Sequence, residues 1–307
     1  MEEYSHERFH HPKNIINWDE IRENVEIIGR GKEKTKARGD FADYLKKEKK
    51  PPIVDERTIA EYVRILDKHL SGKVIHSKEE LREVVYSVER NYNNFVKAMR
   101  NLIHYLVSRD KLDKFVASEY LEILKVRETG AREIYPSNED IVKAWKYIRE
   151  KWGKIDEMLF KFLVFTGVRL EHAYKVLKDF NPDMVEYYDG VAVIRIGWTS
   201  KGKKKGYMAI MPAKFARKLQ KLPDNYSYDM TTNRMNVPAE ITKQKVSAVT
   251  VRKWADNFFV RNRIPNEISD FMQGRASLTV GSKNYLDKIN LAIDFYREVV
   301  DKFPIPT

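Results

Sequence analysis

The sequence has no cysteine among its 307 residues. This absence excludes disulfides, thiolate metal sites and cysteine nucleophiles, so any catalytic group must be a hydroxyl, carboxylate, imidazole, amine or guanidinium. The chain also lacks a run of 18 consecutive apolar residues, and residues 1–6 contain no basic segment that leads into an apolar one. These absences exclude a membrane-spanning helix and a secretory signal, so we expect a soluble cytoplasmic protein with no membrane partner.

Positive charge is abundant. Lysine and arginine together number 57 against 45 aspartates and glutamates, which gives a formal net charge of +12. The average field therefore attracts polyanions, and nucleic acid is favoured over an anionic membrane because no basic amphipathic anchor stands out. The alternative is that the charge only keeps the surface soluble, or reflects a hot habitat in which lysine and glutamate are enriched.

The length is sufficient for two domains of ordinary size, each with its own hydrophobic core. Residues 1–50 are polar, with a lysine-rich stretch over residues 32–50 that Pro51-Pro52 terminates, and they predict a basic N-terminal arm. Apolar residues at helical spacing follow, and they predict an all-helical domain over residues 51–128.

A second domain is predicted over residues 134–307. Ser137 is suited to cap its first helix, and Asp189-Gly190 between two apolar segments is typical of a β-hairpin. Residues 207–211 supply a third strand, and the rest of the domain has mainly helical spacing. We therefore expect a mainly α protein of the α+β class, with one small antiparallel sheet in its second domain.

A set of charged and aromatic side chains in this second domain follows an informative order. Each member alone is weak evidence, since a lysine-rich hairpin is usually a solvated turn and a single arginine is usually part of a surface ion pair. In chain order the set comprises Thr166-Gly167-Val168-Arg169, a lysine hairpin over residues 200–206, Arg252, Gly274-Arg275, and Tyr285 ten residues later. This order and spacing resembles the tyrosine recombinase (phage integrase) family.

The resemblance implies a helical core-binding domain followed by a catalytic domain, which close around duplex DNA as a clamp. Position by position, it identifies Arg169 and Arg252 as the first and second catalytic arginines. It further implies that Lys201 is the hairpin lysine and that Tyr285 is the nucleophile. Arg275 stands where the family usually has a histidine, and arginine at this place is similar to the integrases of archaeal viruses and plasmids, the fusellovirus type.

The lysines leave alternatives open. Lys203 or Lys204 can take the place of Lys201, because the lysine run fits the family pattern in more than one register. Val249 occupies the position three residues before the second arginine, where the family commonly has histidine or lysine, and a hydrocarbon cannot transfer a proton. The side chains that could replace it are lysines: Lys201, Lys243 and Lys245.

A second departure lies just after Arg169. The family has a carboxylate three residues beyond this arginine, but this chain has His172 there, with Glu171 adjacent. Either side chain could orient Arg169. No histidine follows His172 in the sequence, so no imidazole from the rest of the domain can replace the one missing at Val249.

The residue types suit strand transfer. Attack by a tyrosine on a DNA phosphodiester adds negative charge to the nonbridging oxygens, which planar guanidinium groups bind with paired, charge-assisted hydrogen bonds. Arg169, Arg252 and Arg275 are expected to form this cage. Tyr285 would form a 3'-phosphotyrosyl bond that conserves energy for resealing without ATP, and Lys201 would protonate the leaving 5' oxygen. With the cage complete, the reaction requires no metal or other cofactor.

The expected partner is double-stranded DNA in the interior of a host cell, and the family resemblance implies a homo-tetramer on DNA. The segment from Tyr285 to Val299 has helical apolar spacing, which fits either packing on its own domain or docking on a neighbouring subunit. Two other functions fit the sequence: a type IB topoisomerase-like relaxing enzyme, and a non-catalytic DNA-binding protein with the same fold.

Overall fold

The computed structural model describes residues 14–29, 35–53, 55–128, 130, 133–200, 206–275 and 285–307, with side chains from residue 288 onward in the last segment. The chain divides into two compact units, Met1–Ala131 and Arg132–Thr307. Each has its own hydrophobic core. Helices dominate both units and the strands form small antiparallel sheets, which confirms the expected fold class. Within the described residues, no helix is both long and apolar enough to cross a membrane.

Helices make up most of the first unit. Those described are α1 (Trp18–Arg22), α2 (Asp40–Asp43), α3 (Glu56–Leu70), α4 (Lys78–Tyr86), α5 (Tyr92–Ser108) and α6 (Lys114–Ile123), and a π-helical turn, Tyr44–Glu48, follows α2. The strands are β1 (Ile16–Asn17), β2 (Glu26–Ile28), β3 (Lys36–Arg38) and β4 (Val74–Ile75). β1 pairs with β4 and β2 with β3, both antiparallel.

Side-chain caps fix the starts of α3 and α4. The carboxylate of Asp55 accepts a hydrogen bond from the backbone N–H of Arg57, the second residue of α3. Ser77 accepts from the backbone N–H of Glu80 at the start of α4, as its position in the sequence predicts. These bonds satisfy backbone donors that the first turn of a helix otherwise leaves unpaired.

The described part of residues 1–50 is integrated into the core of the first unit rather than separate from it. Trp18 and Phe41 are fully buried, and their rings meet edge to face at 5.8 Å. Phe41 also contacts Tyr105 of α5, at 5.3 Å between ring centroids. The lysine content suggests an arm, but the few aromatic residues between the lysines supply enough apolar surface to join the core.

The second unit begins with α7 (Asn138–Trp152). The helices described after it are α8 (Lys154–Thr166), α9 (Leu170–Lys178), α10 (Ala213–Ala216), α11 (Tyr228–Arg234), α12 (Ala248–Arg261), α13 (Asn266–Met272) and α14 (Tyr285–Arg297). Its sheet contains β5 (Val185–Tyr188), β6 (Val191–Arg195) and β7 (Met208–Pro212), with β6 in the middle. The sheet is antiparallel, and Asp189-Gly190 forms the predicted turn between β5 and β6.

Helix α8 lies at the centre of this unit and contacts α7, α9, α12 and β7. Phe160, Phe162 and Phe165 of α8 are fully buried. Its end is fixed by Gly167, which adopts φ +61° in the left-handed region. A Cβ at this position would also lie 3.1 Å from the Cβ of Ala255 on α12, so glycine allows α8 to end against α12 directly before Arg169.

Helix α14 packs on the core of its own unit, one of the two arrangements expected from the sequence. Ile293 is buried and Tyr296 is completely buried. The hydroxyl of Tyr296 donates a hydrogen bond of 2.9 Å to the backbone carbonyl of Phe165 at the end of α8. The buried apolar side chains described for α14 therefore pack within the subunit.

Candidate functional site

Three predicted site residues, Arg169, Arg252 and Arg275, lie at neighbouring ends of packed elements. Arg169 is the N-cap residue of α9, Arg252 lies in α12, and Arg275 follows the turn that ends α13. The fold brings these elements together, because α8 contacts both α9 and α12, and α12 contacts α13. Residues far apart in the sequence thus form one cationic group, which we call the arginine cluster.

Arg169 and Arg252 each donate a hydrogen bond to a backbone carbonyl close to another member of the arginine cluster. Nη1 of Arg169 donates to the carbonyl of Gly274 at 3.2 Å, directly before Arg275. Nη1 of Arg252 donates to the carbonyl of Gly167 at 3.1 Å, two residues before Arg169. Each of these arginines therefore fixes the chain segment that carries another.

Arg275 is held by carboxylates instead. Its Nη1 donates to Oδ2 of Asp256 on α12, and lies 3.7 Å from Oδ1 of Asp270 on α13. The other oxygen of Asp256 accepts from Ser269 Oγ at 2.9 Å and from Gln273 Nε2 at 3.3 Å. Asp256 therefore joins α12 to the end of α13 as well as binding Arg275.

Burial and the neighbouring positive charges both disfavour the charged form of Arg169 and Arg252. Burial, together with the charges of Arg169 and Arg275, lowers the pKa of Arg252 to about 9. Burial and the charge of Arg275 also lower the pKa of Arg169. Nη2 of Arg252 is buried and has no hydrogen-bond partner among the described residues. A buried, unsatisfied cationic donor is costly, and an anion such as a phosphate oxygen would satisfy it.

His172 is buried beside Thr199 and Gly206. It is 3% exposed, and its Nδ1 is 2.6 Å from the hydroxyl oxygen of Thr199. That hydroxyl donates its single proton to the carbonyl of Ile196 at 2.7 Å, so the network assigns the Nδ1 proton to the imidazole. Burial, and secondarily the charge of Arg169, lowers the pKa of His172 to about 4, so the ring is neutral at pH 7.

The base of the lysine hairpin is fastened to α9. Lys175 of α9 donates to the carbonyl of Thr199 at 2.9 Å and to Glu171 at 2.9 Å. The backbone N–H of Gly206 donates to Ser200 Oγ at 2.8 Å, closing the loop across its base. Both ends of the hairpin are therefore anchored, and Glu171 takes part through Lys175.

Val249 is 69% exposed in the first turn of α12, one turn before Arg252. Lys243 and Lys245, predicted as its replacements, are exposed in the segment before α12. The backbone N–H of Lys243 donates to the buried Asp140 at 2.8 Å, which fixes the chain but does not involve its amine. Within the part of the chain that the structure describes, neither lysine amine forms a hydrogen bond or ion pair with the arginine cluster.

The side chains of the remaining predicted site residues are not among those described. Lys201, with its alternatives Lys203 and Lys204, falls between the described residues Ser200 and Gly206. Tyr285 is the first residue of α14, and its side chain is not among those described.

Sequence reasoning missed Asp256 and Thr199. Asp256 stands four residues after Arg252 on a helix, a spacing that places the two on one face, and this was the available signal. For Thr199 the sequence contains no comparable signal, because its contact with His172 depends on how the sheet meets α9.

Comparison with known proteins supports the family expected from the sequence. The model of the archaeal phage integrase family matches residues 133–302, more than half of the chain. Among curated proteins, none matches this chain.

Two solved structures resemble this chain at low identity. The XerH site-specific recombinase bound to difH substrate in a pre-cleavage complex is 15% identical, with a TM-score of 0.41, covering 78% of this chain and 88% of that one. XerA recombinase is 14% identical, with a TM-score of 0.35, covering 87% of this chain and 97% of that one. On the strength of the family match, the chain belongs to the archaeal phage integrase family of tyrosine recombinases, which are proteins of DNA recombination.

Proposed function

We propose that this protein is a site-specific recombinase that cleaves and rejoins duplex DNA through a covalent 3'-phosphotyrosyl intermediate. The observation that carries the proposal is the arginine cluster, in which a buried Arg252 Nη2 has no partner among the described residues. A site that keeps crowded cations incompletely paired is suited to an anion that gains charge during reaction. A DNA phosphate at the point of strand transfer is such an anion.

In the proposed reaction, the hydroxyl oxygen of Tyr285 attacks the phosphorus and the bond from phosphorus to the 5' oxygen breaks. The tyrosine proton leaves to a base, and Lys201 donates a proton to the departing 5' oxygen. Rejoining is the reverse: a 5' hydroxyl attacks the phosphotyrosyl bond and releases Tyr285. Because a phosphodiester-like bond is kept throughout, ATP is not needed.

Arg169, Arg252 and Arg275 stabilise the transition state in this proposal. Guanidinium groups present paired donors that match two phosphate oxygens, and they are placed before the charge develops. Removal of one such donor in comparable sites costs about 3 to 4 kcal/mol of transition-state stabilisation. Phosphate contacts also make DNA affinity fall steeply with salt, because bound counterions are released.

The arrangement of domains is part of the proposal. We assign residues 51–128 to a DNA clamp, together with the described part of residues 1–50 that shares its core, and residues 134–307 to the catalytic domain. We also propose that the protein acts as a homo-tetramer on DNA. Sedimentation of the protein with and without duplex DNA tests the tetramer: a four-subunit complex is expected on DNA.

The direct test is to incubate the protein with supercoiled plasmid DNA and a metal chelator, denature the mixture and look for a covalent protein–DNA adduct. Wild type is expected to form the adduct, and Tyr285→Phe is expected to bind DNA equally well without forming it. An adduct in Tyr285→Phe would disprove the assigned nucleophile. Salt-sensitive binding without adduct in wild type would favour a non-catalytic DNA-binding protein, and relaxation without recombinants would favour a topoisomerase-like enzyme.

A further inference from the structure

Asp256 occupies an unusual place beside the arginine cluster. It lies one helical turn after Arg252 on α12, so the two side chains share a face of that helix. Its carboxylate is 29% exposed, which is comparable to the 33% of its partner Arg275. A carboxylate near a phosphate-binding site opposes phosphate binding, so its presence calls for a compensating role.

We infer that Asp256 is the positioning residue of Arg275 and holds that guanidinium in the arginine cluster. This inference rests on the proposed function, in which Arg275 acts on the reacting phosphate. The two oxygens of Asp256 are divided between two tasks. Oδ1 accepts from Ser269 and Gln273, which fixes the carboxylate, and Oδ2 accepts from Arg275.

Arginine needs such a partner more than histidine does. An arginine side chain has more rotatable bonds than histidine and loses more conformational freedom when it is ordered. Arg169 and Arg252 carry the same charge as Arg275 and therefore repel it, and after burial the charge of Arg275 contributes to the lowered pKa of both. Without a fixed carboxylate, the Arg275 guanidinium would turn away from the other two cations and into solvent.

Asp270 is not an equivalent partner. Its Oδ1 is 3.7 Å from Arg275 Nη1, beyond hydrogen-bonding distance, and its side chain is 47% exposed. Its backbone carbonyl does accept from the backbone N–H of Arg275 at 2.7 Å, which fixes the chain but not the guanidinium. Asp256 is therefore the group that determines where the charge of Arg275 lies.

The test measures the rate of adduct formation on supercoiled plasmid DNA and, separately, DNA affinity. If the amide oxygen of Asp256→Asn still accepts the hydrogen bond from Ser269, its N–H₂ group faces Arg275. We therefore expect the rate of adduct formation to fall about tenfold or more, while DNA affinity changes less than about twofold. Arg275→Ala is expected to lower the rate about 100-fold. Glu186→Gln removes a carboxylate from another arginine pair, with Arg195, and serves as the control for net charge.

A double-mutant cycle separates positioning from a merely structural role. If Asp256 acts through Arg275, Asp256→Asn adds no further loss in the Arg275→Ala background. Losses that multiply in the double variant would overturn the inference, as would a single Asp256→Asn variant with the wild-type rate. If wild type forms no adduct at all, the proposed function fails instead, so the two failures are distinguishable.

A pair of equal-sized variants keeps the test valid if Asp256→Asn does not fold. Asp256→Glu retains the carboxylate and Asp256→Gln does not. We expect the glutamate variant to form adduct at least about tenfold faster than the glutamine variant. Equal rates in this pair would overturn the inference.

Discussion

Arg109 in the first unit and Arg252 in the second differ in their hydrogen-bond partners and in the direction in which their pKa is shifted. In the first unit, Arg109 donates to Asp40 and to Glu48, with distances of 2.8 Å to each. These hydrogen bonds raise the pKa of Arg109 and lower that of Asp40 to about 2. In the second unit, Arg252 has no carboxylate bonded to it, and one nitrogen is buried without a partner among the described residues.

The difference separates a structural arginine from one prepared for a ligand. Arg109 joins α5 to the segment that carries Asp40 and Glu48, and its guanidinium also lies 5.2 Å from the ring of Tyr105. Its donors are used within the protein. Burial, and after it the like charges of Arg169 and Arg275, lower the pKa of Arg252, so its environment becomes favourable only when an anion arrives.

The largest expected effect is on Arg252. Arg252→Gln should lower the rate of adduct formation by about 100- to 1,000-fold, because a transition-state donor is lost. The same substitution should leave the melting temperature unchanged or raise it, since a crowded buried charge is removed. Quenched-flow adduct assays and thermal melts measure the two quantities. A large drop in melting temperature would show that Arg252 is structural, like Arg109.

The next largest effect is the dependence of protein stability on pH that His172 causes. Its folded-state pKa of about 4 lies below the ordinary 6.5, so the unfolded chain binds a proton more readily between these values. Stability from this group is therefore complete above pH 6.5 and decreases as pH falls, by about 2 kcal/mol at pH 5. His172→Gln should lack this contribution to acid sensitivity. Melting curves of both proteins at pH 7 and pH 5 check it; parallel losses would contradict the buried neutral ring.

Arg109 should show the reverse pattern to Arg252. Arg109→Gln leaves Asp40 and Glu48 facing each other without a cation, so we expect a loss of stability on the order of 1 kcal/mol, as for an exposed ion-pair network. Adduct formation per folded molecule should stay within about twofold of wild type. Urea melts followed by tryptophan fluorescence suit this comparison. A variant that folds normally but loses strand transfer would show that the contrast between the two arginines is mistaken.

The smallest expected effect concerns Val249. Replacement by histidine restores the group that the family commonly has at this position, but the side chain there is 69% exposed, so the imidazole would be largely solvated. We therefore expect Val249→His to increase the rate of adduct formation by only about two- to fivefold, well below the effect of a fully positioned acid–base group. The pH dependence of that rate provides the check, and a tenfold decrease would refute the expectation.

Much of the fold was predictable because its signals are local. Ser137 forms the predicted helix cap, as a capping box with Asp140, and Asp189-Gly190 forms the predicted turn. The sheet of β1 and β4 was missed, because the two strands pair across nearly sixty residues and each is only two residues long. Pairing at that separation leaves no periodicity in the sequence.

The proximity of the three arginines could be expected from the sequence, but the groups that support them could not. Family order identifies Arg169, Arg252 and Arg275, and the structure brings these three together. The carboxylate that holds Arg275 belongs to Asp256 on α12, whose spacing places it on the same helix face as Arg252. Only the packing of α12 against α13 shows that its partner is Arg275. Such supporting contacts depend on tertiary geometry rather than on spacing along the chain.

The central claim is that Tyr285 is the residue that becomes joined to DNA, and peptide mapping of the adduct tests it most directly. Trypsin is expected to release residues 284–288 after Lys283 and Lys288, a peptide whose only tyrosine is Tyr285. After nuclease digestion of the wild-type adduct, mass spectrometry should find this peptide carrying a nucleotide through its 3' phosphate. A nucleotide on any other peptide, or an adduct that leaves residues 284–288 unmodified, would contradict the account.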